Sequence, residues 1–131
     1  MSSENKMSPE FVLSGIKVVD FSRLLPGPWA TQMMADFGAE VIKVEQPEIG
    51  DGARHNPPNY ETTSAYFHSV NRNKRDIALD LSKPEGQAVA HRLIAEADVV
   101  LESYRVGVTK KLGIDYETAK KLNERLVYCS I

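Results

Sequence analysis

The sequence predicts an α/β fold in which a parallel sheet carries helices on both faces. Short apolar runs alternate along the chain with segments of helical period, an order typical of parallel sheets. The strand-like runs are short and rich in β-branched residues, as buried strands are. With 131 residues and an apolar fraction of 42%, the chain is long enough for one domain with a real core.

The first strand, helix and second strand are predicted between residues 16 and 45. The run IKVVDF (Ile16–Phe21) predicts a buried strand, and Pro28 suits the first turn of the helix that follows. Gly38 is placed to end this helix, and AEVIKVE (Ala39–Glu45) predicts the second strand. Helical spacing gives the helix an apolar face made of Ala30, Met33, Met34 and Phe37.

Three further strands are predicted after a loop from 47 to 60 that is rich in Pro, Gly, Asp and Asn. They are RDIALDL (Arg75–Leu81), ADVVLESY (Ala97–Tyr104) and RLVYCSI (Arg125–Ile131). Helices are predicted at TTSAYFHSVN, capped by Thr62, Thr63 or Ser64, after Ser82 and Pro84, at GVTKKLG, and at DYETAKKLN, capped by Asp115. Because the sequence stops at a strand, we expect a domain that is truncated at Ile131.

Composition and charge narrow the classes of function. A net charge of -2 gives no global reason to expect nucleic acid or an anionic membrane as a partner. No apolar run is long enough to span a bilayer, and the N-terminus lacks the apolar core of a signal peptide. The single cysteine, Cys129, fits a reducing compartment, so we expect a cytoplasmic protein. We expect residues 1–12 to form a flexible tail and residues 13–131 to form the domain.

Ligands of parallel α/β sheets bind beyond the carboxyl ends of the strands, so the candidate residues follow each strand. After the first strand, the positive end of the next helix suits an anion. Leu24, Leu25 and Pro26 make the same turn apolar, which favours a flat ring or an acyl arm over a bare phosphate. The alternative interpretation is that Pro-Gly-Pro only makes a tight turn between strand and helix.

Two groups of bases are candidates for binding phosphate. NRNKR (Asn71–Arg75) is either a phosphate clamp or a solvated loop before a strand. Arg105, Lys110 and Lys111 form a second basic cluster near the end of the fourth strand. Two clusters around one crevice suit a ligand with several phosphates.

Other polar residues are weaker candidates for a functional site. Glu45 is placed like the acid that binds ribose in dinucleotide enzymes, but the sequence has no G-x-G-x-x-G, and pairing with a nearby base is the alternative. The histidines lack the spacing of zinc ligands, so no metal is predicted. Cys129 lies on a strand predicted to be buried and has no obvious base, so we do not expect it to be a nucleophile.

Several separated motifs resemble the N-terminal part of family III CoA-transferases, the CaiB/BaiF and formyl-CoA transferase group, with α-methylacyl-CoA racemase as a relative. The motifs are LSGIKVVDFSRLLPGPWATQMMADFGAEVIKVEQPEIGD, YFHSVNRNKRDIALDLSKPEGQ and ADVVLESYRVGVTKKLGIDYETAKKLNERLVYCSI. The resemblance implies a Rossmann-like domain that holds coenzyme A. It also implies an interlocked homodimer.

The resemblance also implies which residues contact coenzyme A. They are Leu25, Pro26, Gln46, Leu79, Asp80, Leu81, Ser82, Ser103, Tyr104, Arg105 and Lys111. Most of them are the strand-end residues that the topology had already singled out. Gln46 stands where a relative has a base and Ser103 where one has Asn, so Gln46 supplies hydrogen bonds without charge.

The implied activity is transfer of coenzyme A between an acyl-CoA and a carboxylic acid. In the transferases an aspartate forms a mixed anhydride and then a thioester, and the resemblance implies that this residue lies beyond Ile131. We therefore name no catalytic residue. The long segment from Gln46 to Asn73 favours a transferase over a racemase. A fragment that binds CoA or a nucleotide without turnover is a further alternative, and no metal, membrane or nucleic acid is expected.

Overall fold

The computed structural model describes residues 10–131, which contain a five-stranded parallel sheet and a separate two-stranded hairpin. The strands are β1 (Lys17–Asp20), β2 (Glu40–Glu45), β3 (Asn59–Tyr60), β4 (Thr63–Ser64), β5 (Arg75–Ala78), β6 (Val99–Glu102) and β7 (Val127–Ser130). The helices are α1 (Pro26–Asp36), α2 (Ala65–Ser69), α3 (Pro84–Glu96), α4 (Val108–Lys111) and α5 (Tyr116–Leu122), and Gly52–His55 forms a 3₁₀ turn.

The large sheet has the strand order β5-β2-β1-β6-β7, and all of its pairs are parallel. The chain moves outward from β1 to β2 and β5, then crosses to the other side of β1 for β6 and β7. The order therefore reverses between β1 and β6, which is where doubly wound sheets open a crevice for ligands. The predicted fold class is confirmed.

Helices cover the sheet on both faces, but the two cores differ in size. On the face of α3 and α5, the buried apolar cluster consists of Val19, Phe21, Val44, Leu81, Ala90, Ile94, Ala97, Val100, Ile114 and Ala119. Beneath α1 the buried cluster is only Val18, Ala35, Ala39 and Val41. Buried polar side chains occupy the rest of the space under α1.

The apolar face predicted for α1 is only partly buried, with Met34 packed against the small core cluster. Met33 is 47% exposed and Phe37 is 56% exposed, whereas Thr31 and Gln32 are buried. Thr31 Oγ1 donates a hydrogen bond to the buried Asp20, and Gln32 Nε2 donates one to the carbonyl oxygen of Ser69. Polar partners on β1 and at the end of α2 therefore set the orientation of this helix.

The caps and ends of the helices mostly follow the sequence. Ser64 is the N-cap of α2, and its hydroxyl accepts a hydrogen bond from Phe67 N. Gly38 follows α1 with a positive φ of 101°, a conformation that glycine adopts without strain. Asp115 is the N-cap of α5, where its carboxylate accepts a hydrogen bond from the Thr118 hydroxyl.

The last strand corrects another prediction. Cys129 is exposed, although its strand was predicted to be buried, because β7 is an edge strand with most of its side chains in solvent. Of the predicted tail, residues 1–9 lie outside the described residues, and Phe11 already belongs to a turn in which its N–H bonds the Ser14 hydroxyl. Across residues 10–131, no helix is long and apolar enough to cross a membrane.

Candidate functional site

A crevice opens at the carboxyl ends of β1, β2, β5 and β6. Its central cavity has a volume of about 240 Å³. The strand-end residues predicted from the sequence that line this cavity are Gln46, Leu79, Asp80, Leu81, Ser82 and Tyr104. The switch point of the sheet brings them together, although they are far apart in the chain.

The other predicted residues lie around the central cavity. Pro26 and Ser103 line a neighbouring cavity of about 430 Å³, and Arg105 lines a third cavity of about 400 Å³ that shares Tyr104 with the first. Leu25 and Lys111 line none of these three cavities and are exposed at the surface. The structure thus places nine of the eleven predicted residues in three adjoining cavities and two outside them.

The segment Leu79–Ser82 leaves the sheet earlier than predicted, because β5 ends at Ala78. Ser82 N and the Ser82 hydroxyl both donate to the Asp80 carboxylate, and these hydrogen bonds lower the pKa of Asp80. Gly86 in α3 lies against this segment so closely that a Cβ atom there would be 2.0 Å from the Asp80 carbonyl oxygen. The shape of this wall is therefore fixed by its own hydrogen bonds and by α3.

The turn after β1 is not built as a phosphate loop. Its backbone donors bond protein side chains: Ser22 N bonds Asp20, Arg23 N bonds Ser103 and Leu24 N bonds Asp51. Pro26 and Pro28 have no N–H, so the first turn of α1 offers few donors to an anion. The anion binding suggested for this helix end is therefore not supported, and the turn presents apolar side chains instead.

The bases of Asn71–Arg75 do not form a free phosphate clamp. Arg72 pairs with Asp36 at 2.7 Å, and Arg75 pairs with Glu40 at 2.9 Å. Lys74 is buried, with its Nζ 3.2 Å from Asp20. Burial lowers the pKa of Lys74 to about 8, against the attraction of Asp20. Each base in this segment thus bonds a carboxylate of the chain.

The bases of the second basic cluster differ from those of Asn71–Arg75 in their partners. Arg105, Lys110 and Lys111 are exposed, and none of them forms an ion pair with another residue of the described part of the chain.

Glu45, by contrast, is held by Arg54 through hydrogen bonds of 2.8 and 2.7 Å. Glu45 is therefore the strand-end carboxylate paired with a base, rather than a free acid for ribose.

Arg23 is a site residue that was not among those predicted from the sequence. It lines both the central cavity and the cavity around Pro26, and its guanidinium lies 4.7 Å from the centre of the Tyr104 ring. It is exposed and has no carboxylate partner among residues 10–131. Its position in the turn after β1 was the sequence feature that could have identified it. For Leu112, which also lines the central cavity, no sequence feature indicated a role in the site.

The histidines bond protein groups in the described chain. His55 contacts the Ile49 carbonyl, His68 the Thr63 hydroxyl and His91 the Gly113 carbonyl. Within residues 10–131, no group of three His, Cys, Asp or Glu side chains is arranged to hold a metal ion.

The family of the chain follows from its sequence pattern. The pattern that defines CoA-transferase family III matches residues 13–131, almost all of the part that folds around the crevice. This chain belongs to CoA-transferase family III. The resemblance seen in its motifs is confirmed.

Relatives of this family III chain are CoA-transferases of different substrates. It is 50% identical to succinate–glutarate CoA-transferase of Agrobacterium fabrum, over 91% of this chain and 32% of that protein. It is 42% identical to formyl-CoA:oxalate CoA-transferase of Escherichia coli, over 91% of this chain and 29% of that protein. The chain therefore spans about a third of the length of these relatives.

A solved structure shares the fold. The crystal structure of a CaiB/BaiF family protein from Brucella suis superposes with a TM-score of 0.87 at 47% identity, covering 92% of this chain and 33% of that one. The superposition shows that the two chains share this α/β fold.

Proposed function

We propose that this chain is the coenzyme A-binding part of a family III CoA-transferase, which moves CoA between an acyl-CoA and a carboxylic acid. The observation that carries the proposal is the crevice at the switch point. It combines apolar walls with exposed bases that have no carboxylate partner among the described residues. Coenzyme A has the matching chemistry, since it joins a flat adenine ring and a long pantetheine arm to phosphate groups.

The crevice offers a separate contact for each part of that ligand. Leu79, Leu81 and Tyr104 supply apolar surface for the adenine ring or the arm. Arg23 and Arg105 supply charge in the two cavities that Tyr104 lines, where charge-assisted hydrogen bonds to phosphate are favourable. We propose Lys111 as a further base for phosphate, and Gln46, Asp80, Ser82 and Ser103 as hydrogen-bonding partners.

We propose a dicarboxylic acid as the acceptor of CoA, by analogy with the relatives named for succinate, glutarate and oxalate. None of residues 10–131 is proposed as the nucleophile. The family resemblance further supports an interlocked homodimer for the whole enzyme, and the single cysteine supports a cytoplasmic setting.

Calorimetric titration of the folded chain with CoA tests this proposal. We expect saturable binding. Arg105→Ala and Lys111→Ala should each weaken it by on the order of 1–3 kcal/mol, because each removes a charge-assisted bond to phosphate. Arg72→Ala is the matched control, since this exposed arginine already pairs with Asp36 away from the cavities and its loss should leave the affinity unchanged.

Absence of heat from a folded sample would remove the CoA-binding assignment. Binding that both basic-cluster variants leave unchanged would instead remove Arg105 and Lys111 from the site. If the whole protein bound CoA but transferred none, the chain would be a binding module and the transferase proposal would fail.

A further inference from the structure

A fully buried ion pair packs against the turn that lines the crevice, and Asp51 of this pair also lines the central cavity. Lys43 Nζ is 2.8 Å from Asp51 Oδ2, and the two side chains are 1% and 0% exposed. Lys43 comes from β2, and Asp51 comes from the loop that follows it. Such a pair adds little net stability, because the cost of removing both charges from water offsets their attraction. Its role is better sought in the groups that it holds.

The pair bonds the two peptide groups on either side of Arg23. Lys43 Nζ donates to the carbonyl oxygen of Ser22 at 3.1 Å, and this carbonyl belongs to the peptide that joins Ser22 to Arg23. Asp51 Oδ1 accepts the N–H of Leu24 at 3.0 Å, and this N–H belongs to the peptide that joins Arg23 to Leu24. The buried charges therefore fix the backbone of Arg23 from both sides.

Two further observations show how firmly this segment is held. Leu24 has a φ of 67°, a left-handed conformation that an apolar residue with a Cβ seldom adopts without support. The N–H of Arg23 itself bonds the Ser103 hydroxyl at 3.0 Å. With its backbone held at these points, Arg23 lays its guanidinium over Tyr104, at the junction of the central cavity and the cavity around Pro26.

We propose that Lys43 and Asp51 are positioning residues, which aim the Arg23 guanidinium at an anionic oxygen group of the ligand. The inference rests on the proposed function, because it takes the ligand of the crevice to be an acyl-CoA. The anionic group is either a phosphate of the CoA nucleotide or a carboxylate of the acyl group. Titrations with CoA and with glutarate distinguish these two sources.

A double-mutant cycle with CoA tests the positioning role. Arg23→Gln and Asp51→Asn should each weaken binding roughly tenfold, the loss of one hydrogen bond to a charged group. In the Arg23→Gln background, Asp51→Asn should cause no further loss, because the side chain that it positions is gone. An equal loss in both backgrounds would show a merely structural role and overturn the proposal. If Arg23→Gln affected glutarate instead, the anion would be the carboxylate.

A matched control separates this effect from general destabilisation. Lys74→Met removes another buried lysine, which bonds Asp20, Pro28 and Asn71 but neither of the two peptides next to Arg23. It should lower the stability of the chain without energetic coupling to Arg23→Gln. If the Asp51→Asn variant does not fold, the double variant Lys43→Met/Asp51→Leu replaces it in the cycle, since apolar replacement of a buried ion pair is often tolerated.

Measurements without ligand keep the test independent of the proposed function. In the unaltered chain, the Leu24 amide should exchange slowly with solvent, and the Arg23 side-chain protons should be shifted upfield by the Tyr104 ring. Asp51→Asn or the apolar pair should abolish that shift. Rapid exchange at Leu24, or a shift that survives both variants, would overturn the inference even if CoA did not bind. Absence of CoA binding with the expected shifts would contradict only the proposed ligand.

Discussion

At the end of β2, two carboxylates contact one guanidinium. Arg54 Nη2 lies 2.7 Å from Glu45 and 3.4 Å from Asp76 on the neighbouring strand β5. Burial opposes the ionisation of Glu45, but the hydrogen bonds from Arg54 outweigh it and lower the pKa of Glu45 to about 2. Burial, together with the adjacent Glu45 carboxylate, raises the pKa of Asp76 to about 7. Asp76 is therefore the carboxyl group of this pair that holds a proton more readily.

This arrangement predicts how stability depends on pH. An aspartate in an unfolded chain has a pKa of about 3.9. Because the folded pKa of Asp76 is higher, its contribution is fully present below pH ~4 and is lost as the pH rises through about 7. Asp76→Asn should therefore gain in stability relative to the unaltered chain between pH 4 and 8. Thermal melts of both proteins across this range measure the difference.

The control for this prediction is Asp80, whose contribution to stability should depend on pH in the opposite direction. Hydrogen bonds from Ser82 lower the pKa of Asp80, so the ionised form stabilises the fold at higher pH. Asp80→Asn should lose stability relative to the unaltered chain as the pH rises from acid to neutral. A difference for Asp76→Asn that was independent of pH would contradict the assignment of the proton to Asp76.

At the scale of elements, the orientation of α1 depends on polar side chains. Thr31 is completely buried and bonds Asp20, whereas Met33 on the predicted apolar face is 47% exposed. Thr31→Val should lower the free energy of unfolding by ~1–3 kcal/mol, because the buried Asp20 carboxylate loses a donor. Met33→Ala should change it by less than ~0.5 kcal/mol, as most surface substitutions do.

Urea denaturation of the two variants measures both effects. The pair is well matched, since both residues lie in the middle of the same helix and differ in the face they occupy. A larger loss for Met33→Ala than for Thr31→Val would mean that the apolar stripe, rather than the polar one, faces the sheet.

At the scale of the whole molecule, the chain leaves much apolar and edge surface in water. Trp29 in α1 and Phe37 at its C-terminal cap are 55% and 56% exposed, and Val127 on the edge strand β7 is 62% exposed. Among residues 10–131, only one face of the sheet carries a large apolar cluster. We therefore predict that the isolated chain is poorly stable, because its buried apolar surface barely offsets the entropy of folding.

Calorimetry and sedimentation of the isolated chain check this prediction together. We expect a broad thermal transition at low temperature and association that increases with concentration. A monomer that melts sharply and cooperatively at high temperature would contradict it.

How far the sequence predicted the site depends on the residue. Gln46, Asp80 and Ser82 were predicted at strand ends and, from the resemblance, as contacts of coenzyme A, and the structure brings them together in one cavity. Arg72 was ambiguous because a base in a loop looks the same whether it faces a ligand or a carboxylate. Its partner Asp36 lies on a different element, and sequence spacing carries no information about that contact.

The sequence by itself determined the alternation of strands and helices, the parallel sheet, the family and most residues at the strand ends. The alternation, the sheet and the strand ends follow from local periodicity and from the connection rules of parallel sheets, whereas the family follows from the resemblance of the motifs. The tertiary structure alone decided which face of α1 is buried, which bases are already paired, and that Lys43 and Asp51 lie behind Arg23. The first and the last depend on burial of polar groups, whose cost is set by the partners that packing brings to them. The pairing of the bases depends on which carboxylate the fold brings within reach of each one.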